Sequence, residues 1–151
     1  MSRLPPSHRK DYKTEIILST RWDDNDIYGH LNNTAHYRLF DTAVNGFLME
    51  KTGFHPMTLQ VIGLVVESGC RYQAELHFPQ NISACLRVAR IGRTSVRYEI
   101  GLFADDAQLP AAEGFFVHVF VERDTRQPHP IPEALRRCIS PSSDDLRSVG
   151  A

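Results

Sequence analysis

The stretch RWDDNDIYGHLNN, residues 21–33, joins an extended segment to a long helix and decides how the rest of the chain is arranged. It contains three aspartates, a glycine and a histidine, and it ends on two asparagines. The start of a helix has unpaired N–H groups and positive dipole character. A carboxylate just upstream of that point lies beside donors for a developing negative charge. The stretch therefore indicates chemistry rather than a solvated loop.

The residues that follow the stretch predict a helix over 33–51. Asn32 or Asn33 suits the N-cap, because its side-chain oxygen can accept from a free backbone N–H. Gly53 stands where a glycine ends a helix, and Pro56 follows shortly after it. An apolar stripe at helical spacing predicts the face that is buried. The stripe consists of Phe40, Ala43, Val44, Phe47 and Leu48.

The rest of the chain is dominated by strand patterns with short turns. A first strand is predicted over 14–22, with Ile16, Leu18, Thr20 and Trp22 on one face. A short helix is predicted over 132–139. The later strands are predicted over 59–67 with an extension to 72–76, then 82–88, 94–102 and 113–121. This β-α-β-β-β-β-α order predicts an α+β fold, in which one antiparallel sheet buries the stripe of the long helix.

Composition limits the kind of protein. The 151 residues suit one domain over 1–139, followed by a polar tail over 140–151 that we expect to be disordered, while residues 1–11 predict a loose arm. A net charge of -1 argues against nucleic-acid or membrane-surface binding. There is no leader-like apolar segment, so a cytoplasmic location is expected. Three widely spaced cysteines argue against a disulfide framework or a zinc site.

The pattern Arg21-x-x-Asp24-x-Asp26-x-x-Gly29-His30-Leu31-Asn32-Asn33-x-x-x-Tyr37 resembles the opening signature of hotdog-fold acyl-CoA thioesterases. The 4-hydroxybenzoyl-CoA thioesterase-like branch is the most similar. Weaker segments follow in the family's order, and the resemblance spans residues 14–139. It implies a hotdog fold, with an antiparallel sheet wrapped around one long central helix. It also implies a homodimer or homotetramer with active sites between subunits, and the apolar run 59–66 agrees with a covered outer face.

The resemblance also implies roles for individual residues. Asp26 matches the family's catalytic carboxylate, which acts as a general base on water or as a nucleophile on the thioester carbonyl. The oxyanion is expected to be held by backbone N–H groups around Asn32 and Asn33. Gly29 lets the backbone approach the substrate closely. No cofactor or metal ion is expected, because coenzyme A is part of the substrate.

Further positions keep two interpretations each. Tyr37 is expected either in the wall of the acyl pocket or in the core. His30 is expected to bond a loop carbonyl or to assist proton transfer, and Glu67 to lie exposed on a strand or to join the site. Arg90 and Arg93 flank the turn at Gly92, and we expect them either to be solvated or to bind the phosphates of coenzyme A, as basic residues near this turn do in the family.

Other functions fit the residues less well. A hotdog hydratase or dehydratase is expected to have an Asp-x-x-x-x-His arrangement, whereas only three residues separate Asp26 from His30. A non-catalytic acyl-binding module remains a second alternative. The sequence leaves open which acyl group is bound, and whether coenzyme A or an acyl carrier protein carries it.

Overall fold

The computed structural model describes residues 4–140. Five strands form one antiparallel sheet in the order β1-β3-β4-β5-β2. Two α-helices accompany the sheet. The elements are β1 (Thr14–Ser19), α1 (Asn33–Thr52), β2 (Val61–Tyr72), β3 (Asn81–Ile91), β4 (Ser95–Ala104), β5 (Ala112–Glu122) and α2 (Glu133–Ile139). Each predicted element is present, so the predicted α+β arrangement is confirmed.

The long helix α1 packs its predicted stripe against one face of the sheet. Phe40, Ala43 and Val44 have no solvent exposure, and Phe47 is also buried. The sheet provides the opposite wall through alternate residues of β4 and β5, such as Tyr98 and Phe116. The helix ends as predicted at Gly53, whose φ of 71° is in the left-handed region that favours glycine.

Two predictions near the N-terminus are wrong. The first strand ends at Ser19, and Trp22 begins a short 3₁₀ turn with its side chain 77% exposed. The part of the predicted loose arm that the structure describes is fixed to the sheet. Arg9 donates to the carbonyls of Asp105 and Ala107, and the N–H of Ser7 donates to Glu113. An arginine fork that satisfies two loop carbonyls explains why this polar segment is ordered.

The two edges of the sheet differ in length. β1 has six residues and β2 has twelve. Along β2, Leu64, Val65 and Val66 are exposed apolar side chains. A long apolar edge strand offers unpaired backbone groups to another strand. Among residues 4–140, no helix is long and apolar enough to cross a membrane. The predicted polar tail lies outside the described residues, apart from Ser140.

Candidate active site

The loop between β1 and α1 is folded back on itself. Asn25 and Leu31 form an antiparallel bridge, and the N–H of Asp26 donates to the carbonyl of His30 at 2.9 Å. The N–H of Gly29 donates to the carbonyl of Asp26 at 3.1 Å. Gly29 has a φ of 82°, which a side chain would strain, and it faces open space. The predicted glycine therefore makes the turn that brings His30 back beside Asp26.

Asp24 fixes this loop to the helix. Its side chain is 2% exposed and accepts from Nη2 of Arg38 at 2.6 Å and from the N–H of Arg21 at 2.7 Å. Burial raises the pKa of Asp24, but these hydrogen bonds outweigh burial and hold the pKa below its ordinary value. These contacts give Asp24 a structural role, with Arg38 as its partner on the helix.

Asp26 presents its carboxylate to an open cleft. Oδ1 accepts from the N–H of Tyr28 at 2.8 Å, and Oδ2 lies 3.7 Å from Nδ1 of His30. The side chain is 19% exposed, so water reaches it. Asp26 and Asn33 line the same cleft. One carboxylate oxygen is thus anchored by the loop, while the other faces the histidine.

The start of α1 leaves one backbone donor unused. Asn32 is the N-cap, and its Oδ1 accepts from the N–H of Thr34 at 3.0 Å. The N–H of Ala35 donates to the carbonyl of Asn32. No described residue accepts from the N–H of Asn33. Asn33 is the first residue of a twenty-residue helix, at its positive end, and it lines the cleft that holds Asp26.

Three residues at the cleft were not predicted as site residues. His36 is 4% exposed, and its Nδ1 lies 3.1 Å from the carbonyl oxygen of Asn32. Burial lowers the pKa of His36, although bonds to backbone carbonyls oppose that effect. The hydroxyl of Tyr72 donates to the carbonyl of Asn33 at 3.3 Å, and Glu75 lies 3.7 Å from Nε2 of His30. The spacing of four residues between Asn32 and His36 is the one sequence signal that indicates a shared helix face.

The other predicted site residues lie away from the cleft. Tyr37 packs against Phe40 and Phe116 at the edge of the core, with ring centroids 6.0 and 6.5 Å away. Glu67 is exposed on β2. Arg90 and Arg93 are exposed at the turn between β3 and β4.

The turn that carries Arg90 and Arg93 is far from Asp26 of the same chain. Arg136 donates to the carbonyl of Gly92 at 2.7 Å and fixes the turn against α2. The loop that carries Asp26 contacts the opposite end of the sheet, where Leu31 donates to the carbonyl of Leu76 just before β3. The ten residues of β4 separate the two ends by roughly 30 Å. A single chain does not bring Arg90 and Arg93 to Asp26.

The cleft combines a partly exposed carboxylate, a free helix-start N–H and access for a ligand. These groups suit attack of water or of the carboxylate on an acyl carbon, with the new oxyanion bound by a backbone donor. Across residues 4–140, no group of three His, Cys, Asp or Glu side chains is arranged to hold a metal ion.

Comparisons with known proteins agree with this architecture. Residues 20–139 match the family model described as thioesterase-like superfamily. The crystal structure of the PA5185 protein from Pseudomonas aeruginosa is 50% identical and covers 89% of this chain and 94% of that one, with a TM-score of 0.86. A search of curated proteins found no match.

Two named thioesterases are similar in fold. A gentisyl-coenzyme A thioesterase is 21% identical over 84% of this chain and 100% of its own, with a TM-score of 0.75. The DHNA-CoA thioesterase from Staphylococcus aureus is 18% identical over 89% of this chain and 86% of its own, with a TM-score of 0.71. At these identities the likeness concerns the fold alone, and it confirms the predicted hotdog fold.

Proposed function

The chain belongs to the thioesterase-like superfamily, and we propose that it hydrolyses the thioester of an acyl-coenzyme A to the free acid and coenzyme A. One observation supports the proposal most strongly. Asp26 and Asn33 line the same cleft, and no described residue accepts from the N–H of Asn33. A base or nucleophile and an oxyanion donor are the two groups that acyl transfer to water requires.

Asp26 starts the reaction in either of two ways. As a general base, its carboxylate takes a proton from water while the water oxygen bonds to the thioester carbon. As a nucleophile, a carboxylate oxygen bonds to that carbon, and water hydrolyses the resulting anhydride in a second step. In both cases the C–S bond breaks and the sulfur leaves as a thiolate, which takes up a proton. Thiolates are good leaving groups, so one carboxylate suffices.

The N–H of Asn33 binds the carbonyl oxygen as it becomes negative. The aligned peptides of α1 favour a negative charge at this end of the helix. Asn32 supports the geometry, because its side chain caps Thr34 and leaves the neighbouring N–H of Asn33 free. Loss of a single oxyanion donor typically costs about 10²–10³ in kcat.

His30 orients Asp26 and moves a proton. The separation of 3.7 Å between Nδ1 of His30 and Oδ2 of Asp26 is longer than a hydrogen bond, so a small movement of either side chain joins them. The carbonyl of Leu31, 3.3 Å from the same nitrogen, favours the tautomer in which Nδ1 is protonated. We expect bound substrate to shorten the contact between His30 and Asp26.

A second copy of the chain completes the site. We propose that two β2 strands pair antiparallel along their free edges, because β2 is long and carries the exposed side chains of Leu64, Val65 and Val66. Pairing about the middle of β2 brings the Val61 end of one copy beside the Tyr72 end of the other. Tyr72 bonds the carbonyl of Asn33, so the second copy then lies next to the cleft.

The same pairing assigns a role to the remote arginines. The turn with Arg90 and Arg93 is at the Val61 end of the sheet, because Ser95 pairs with Val119 and Val119 pairs with Leu64. In an antiparallel dimer, that turn of the second copy reaches the same end of the joint sheet as Asp26. Its two guanidinium groups then bind the phosphates of coenzyme A.

The test is thiol release from a panel of aliphatic and aromatic acyl-CoAs, followed with a thiol-reactive dye. Oxygen esters of the same acids are the control for non-specific hydrolysis. We expect thiol release in proportion to protein, with one acyl class preferred. Thiol release only from acylated acyl carrier proteins would show that a carrier protein, and not coenzyme A, presents the acyl group. If the folded protein releases thiol from neither carrier, the proposal is contradicted and an acyl-binding module is favoured. If that protein instead hydrates an enoyl-CoA, it is a hydratase.

A further inference from the structure

His36 is a buried side chain one turn into α1, and it lines part of the cleft. Its Nδ1 lies 3.1 Å from the carbonyl oxygen of Asn32. A carbonyl oxygen only accepts hydrogen bonds, so Nδ1 carries a proton at this contact. Burial lowers the pKa of His36, and the ring is therefore uncharged near neutral pH, with that proton as its only one. The imidazole thus has one hydrogen bond to donate, and it donates this bond to Asn32.

The carbonyl that His36 contacts and the N–H of Asn33 belong to the same peptide unit. In a trans peptide the C=O and N–H bonds point in opposite directions. The first N–H groups of a helix point out of its N-terminal end, so the C=O of Asn32 points into the helix, toward His36. The N–H of Ala35 also donates to this oxygen, at 2.9 Å. Two donors on the carbonyl side polarise the peptide, and its N–H becomes a stronger donor.

Tyr72 holds the ring of His36 in the orientation that this bond needs. The two rings meet edge to face, with centroids 4.9 Å apart and planes at 86°. Tyr72 is the last residue of β2, so the imidazole is held between the helix and the sheet. The hydroxyl of Tyr72 donates to the C=O of Asn33, which belongs to the next peptide. The side chain of His36, and not that of Tyr72, therefore contacts the peptide that contains the N–H of Asn33.

We propose that His36 is a positioning residue for the reaction: its imidazole orients and polarises the peptide between Asn32 and Asn33, and so strengthens the N–H of Asn33 as the oxyanion donor. The inference rests on the proposed function, because the donor that it concerns belongs to that reaction. It does not require His36 to exchange a proton with the substrate. His36 acts through the peptide of Asn33, and Asp26 remains the base or nucleophile.

A stronger oxyanion donor acts on the chemical step. The thioester oxygen gains negative charge only as water or Asp26 bonds to the carbonyl carbon, so the donor binds the transition state more tightly than the substrate. An interaction of this kind raises kcat and leaves KM nearly unchanged. Loss of the imidazole donor should therefore lower kcat, whereas a general loosening of the cleft would raise KM as well.

The first experiment compares acyl-CoA hydrolysis by wild type, His36→Phe and His36→Gln. Phenylalanine keeps a ring against Tyr72 and removes the donor, whereas glutamine keeps an N–H that can reach the carbonyl of Asn32. We expect kcat of His36→Phe to fall about tenfold while KM changes less than about twofold, and His36→Gln to recover part of kcat. If circular dichroism shows that His36→Phe does not fold, His36→Met, which has the length of glutamine without its donor, takes its place.

His129→Phe is the matched control. Nδ1 of His129 also lies against a backbone carbonyl, that of Pro130 at 2.6 Å. His129 follows the bridge between Val121 and Pro128, near the end of β5. The control should keep the kcat of wild type, because its imidazole contacts a peptide outside α1.

The second experiment measures the inhibition constants of two analogues that are not hydrolysed. In the first analogue a CH₂ group replaces the thioester sulfur, so the carbonyl remains as a ketone. The second analogue is an alkyl thioether of coenzyme A, which has no carbonyl. We expect wild type to bind the ketone more tightly than the thioether, and His36→Phe to lose most of this preference while it binds the thioether as wild type does.

The outcomes separate the inference from the proposed function. Hydrolysis by wild type with an unchanged kcat in folded His36→Phe overturns the inference alone. An equal loss of affinity for both analogues, or a fall in kcat that His36→Gln does not reverse at all, also overturns it, because either result indicates a merely structural role. A wild-type protein that releases thiol from no acyl-CoA contradicts the proposed function, and the inference then fails with it.

Discussion

Oδ2 of Asp24 lies 2.6 Å from Nη2 of Arg38, and this contact ties the loop that carries Asp26 to the helix that carries Asn33. The two groups of the candidate site come from different elements, so their relative position depends on this ion pair. Asp24 is 2% exposed, and Arg38 is one-third exposed. The aspartate is therefore the member of the pair that is shielded from solvent, and its replacement should lower the free energy of unfolding most.

Replacing Asp24 with Asn should destabilise the fold by about 2–3 kcal/mol, because the hydrogen bonds of a buried charge to Arg21 and Arg38 are weakened. Chemical denaturation measures the change in the free energy of unfolding. Asp23→Asn, an exposed neighbour, is the matched control and should change stability by less than about 0.5 kcal/mol. Equal effects of the two variants would contradict the structural role of Asp24.

The same carboxylate predicts a pH dependence. Hydrogen bonds hold the pKa of Asp24 in the folded state below its ordinary value of 3.8. Its stabilising effect is therefore complete above that ordinary pKa, and it is lost as the pH falls through the folded pKa. The stability gap between wild type and Asp24→Asn should narrow in acid. A gap that stays constant from pH 7 to pH 3 would show that Asp24 does not titrate as described.

Two glycines should respond in opposite directions to alanine. A Cβ on Gly114 would collide with the ring of Phe40, so Gly114→Ala should destabilise the protein by about 2–3 kcal/mol. Gly46 lies within α1, and its nearest neighbour would be Cδ1 of Ile16 at 4.0 Å. Gly46→Ala should therefore stabilise by about 0.5–1 kcal/mol. The unfolding temperatures of Gly114→Ala and Gly46→Ala measure these changes. A loss of stability in both variants would argue against the described contact between helix and sheet.

The two edge strands provide a test of the dimer. Val66 on β2 and Ile17 on β1 are each 60% exposed. Val66→Arg should dissociate the dimer, because two like charges would meet across the paired strands. Ile17→Arg should leave the assembly unchanged. Sedimentation velocity measures the mass of both variants. A dimer that survives Val66→Arg but not Ile17→Arg would place the interface on β1 and contradict the pairing of β2.

Much of the fold is predictable because its signals are local. The stripe from Phe40 to Leu48 and the alternation around Phe116 have the periods of a helix and a strand, and both predictions are confirmed. The alternating pattern of the first strand predicts that Trp22 continues the face of Ile16, Leu18 and Thr20, and this prediction is wrong. The strand instead ends at Ser19, and a 3₁₀ turn follows over Trp22–Asp24, in which the carboxylate of Asp24 accepts from the N–H of Arg21. The spacing of apolar residues carries little information about side-chain capping of this kind.

The candidate site is predictable only where its residues are close in sequence. Asp26, Gly29 and His30 are in one loop, and the structure brings them together as the signature suggests. Tyr72 and Glu75 reach the same cleft from the end of β2, which no local pattern indicates. Such contacts depend on the register of the sheet and on the packing of the loop, which are set by the whole fold.

The most direct test of the central claim is the rate of thioester hydrolysis by Asp26→Asn beside Asp23→Asn, with folding checked by circular dichroism. The amide keeps the size of the side chain but removes the basic and nucleophilic oxygen. We predict that Asp26→Asn lowers kcat by about 10²–10⁴, while Asp23→Asn retains wild-type activity. Unchanged hydrolysis by a folded Asp26→Asn variant would contradict the account.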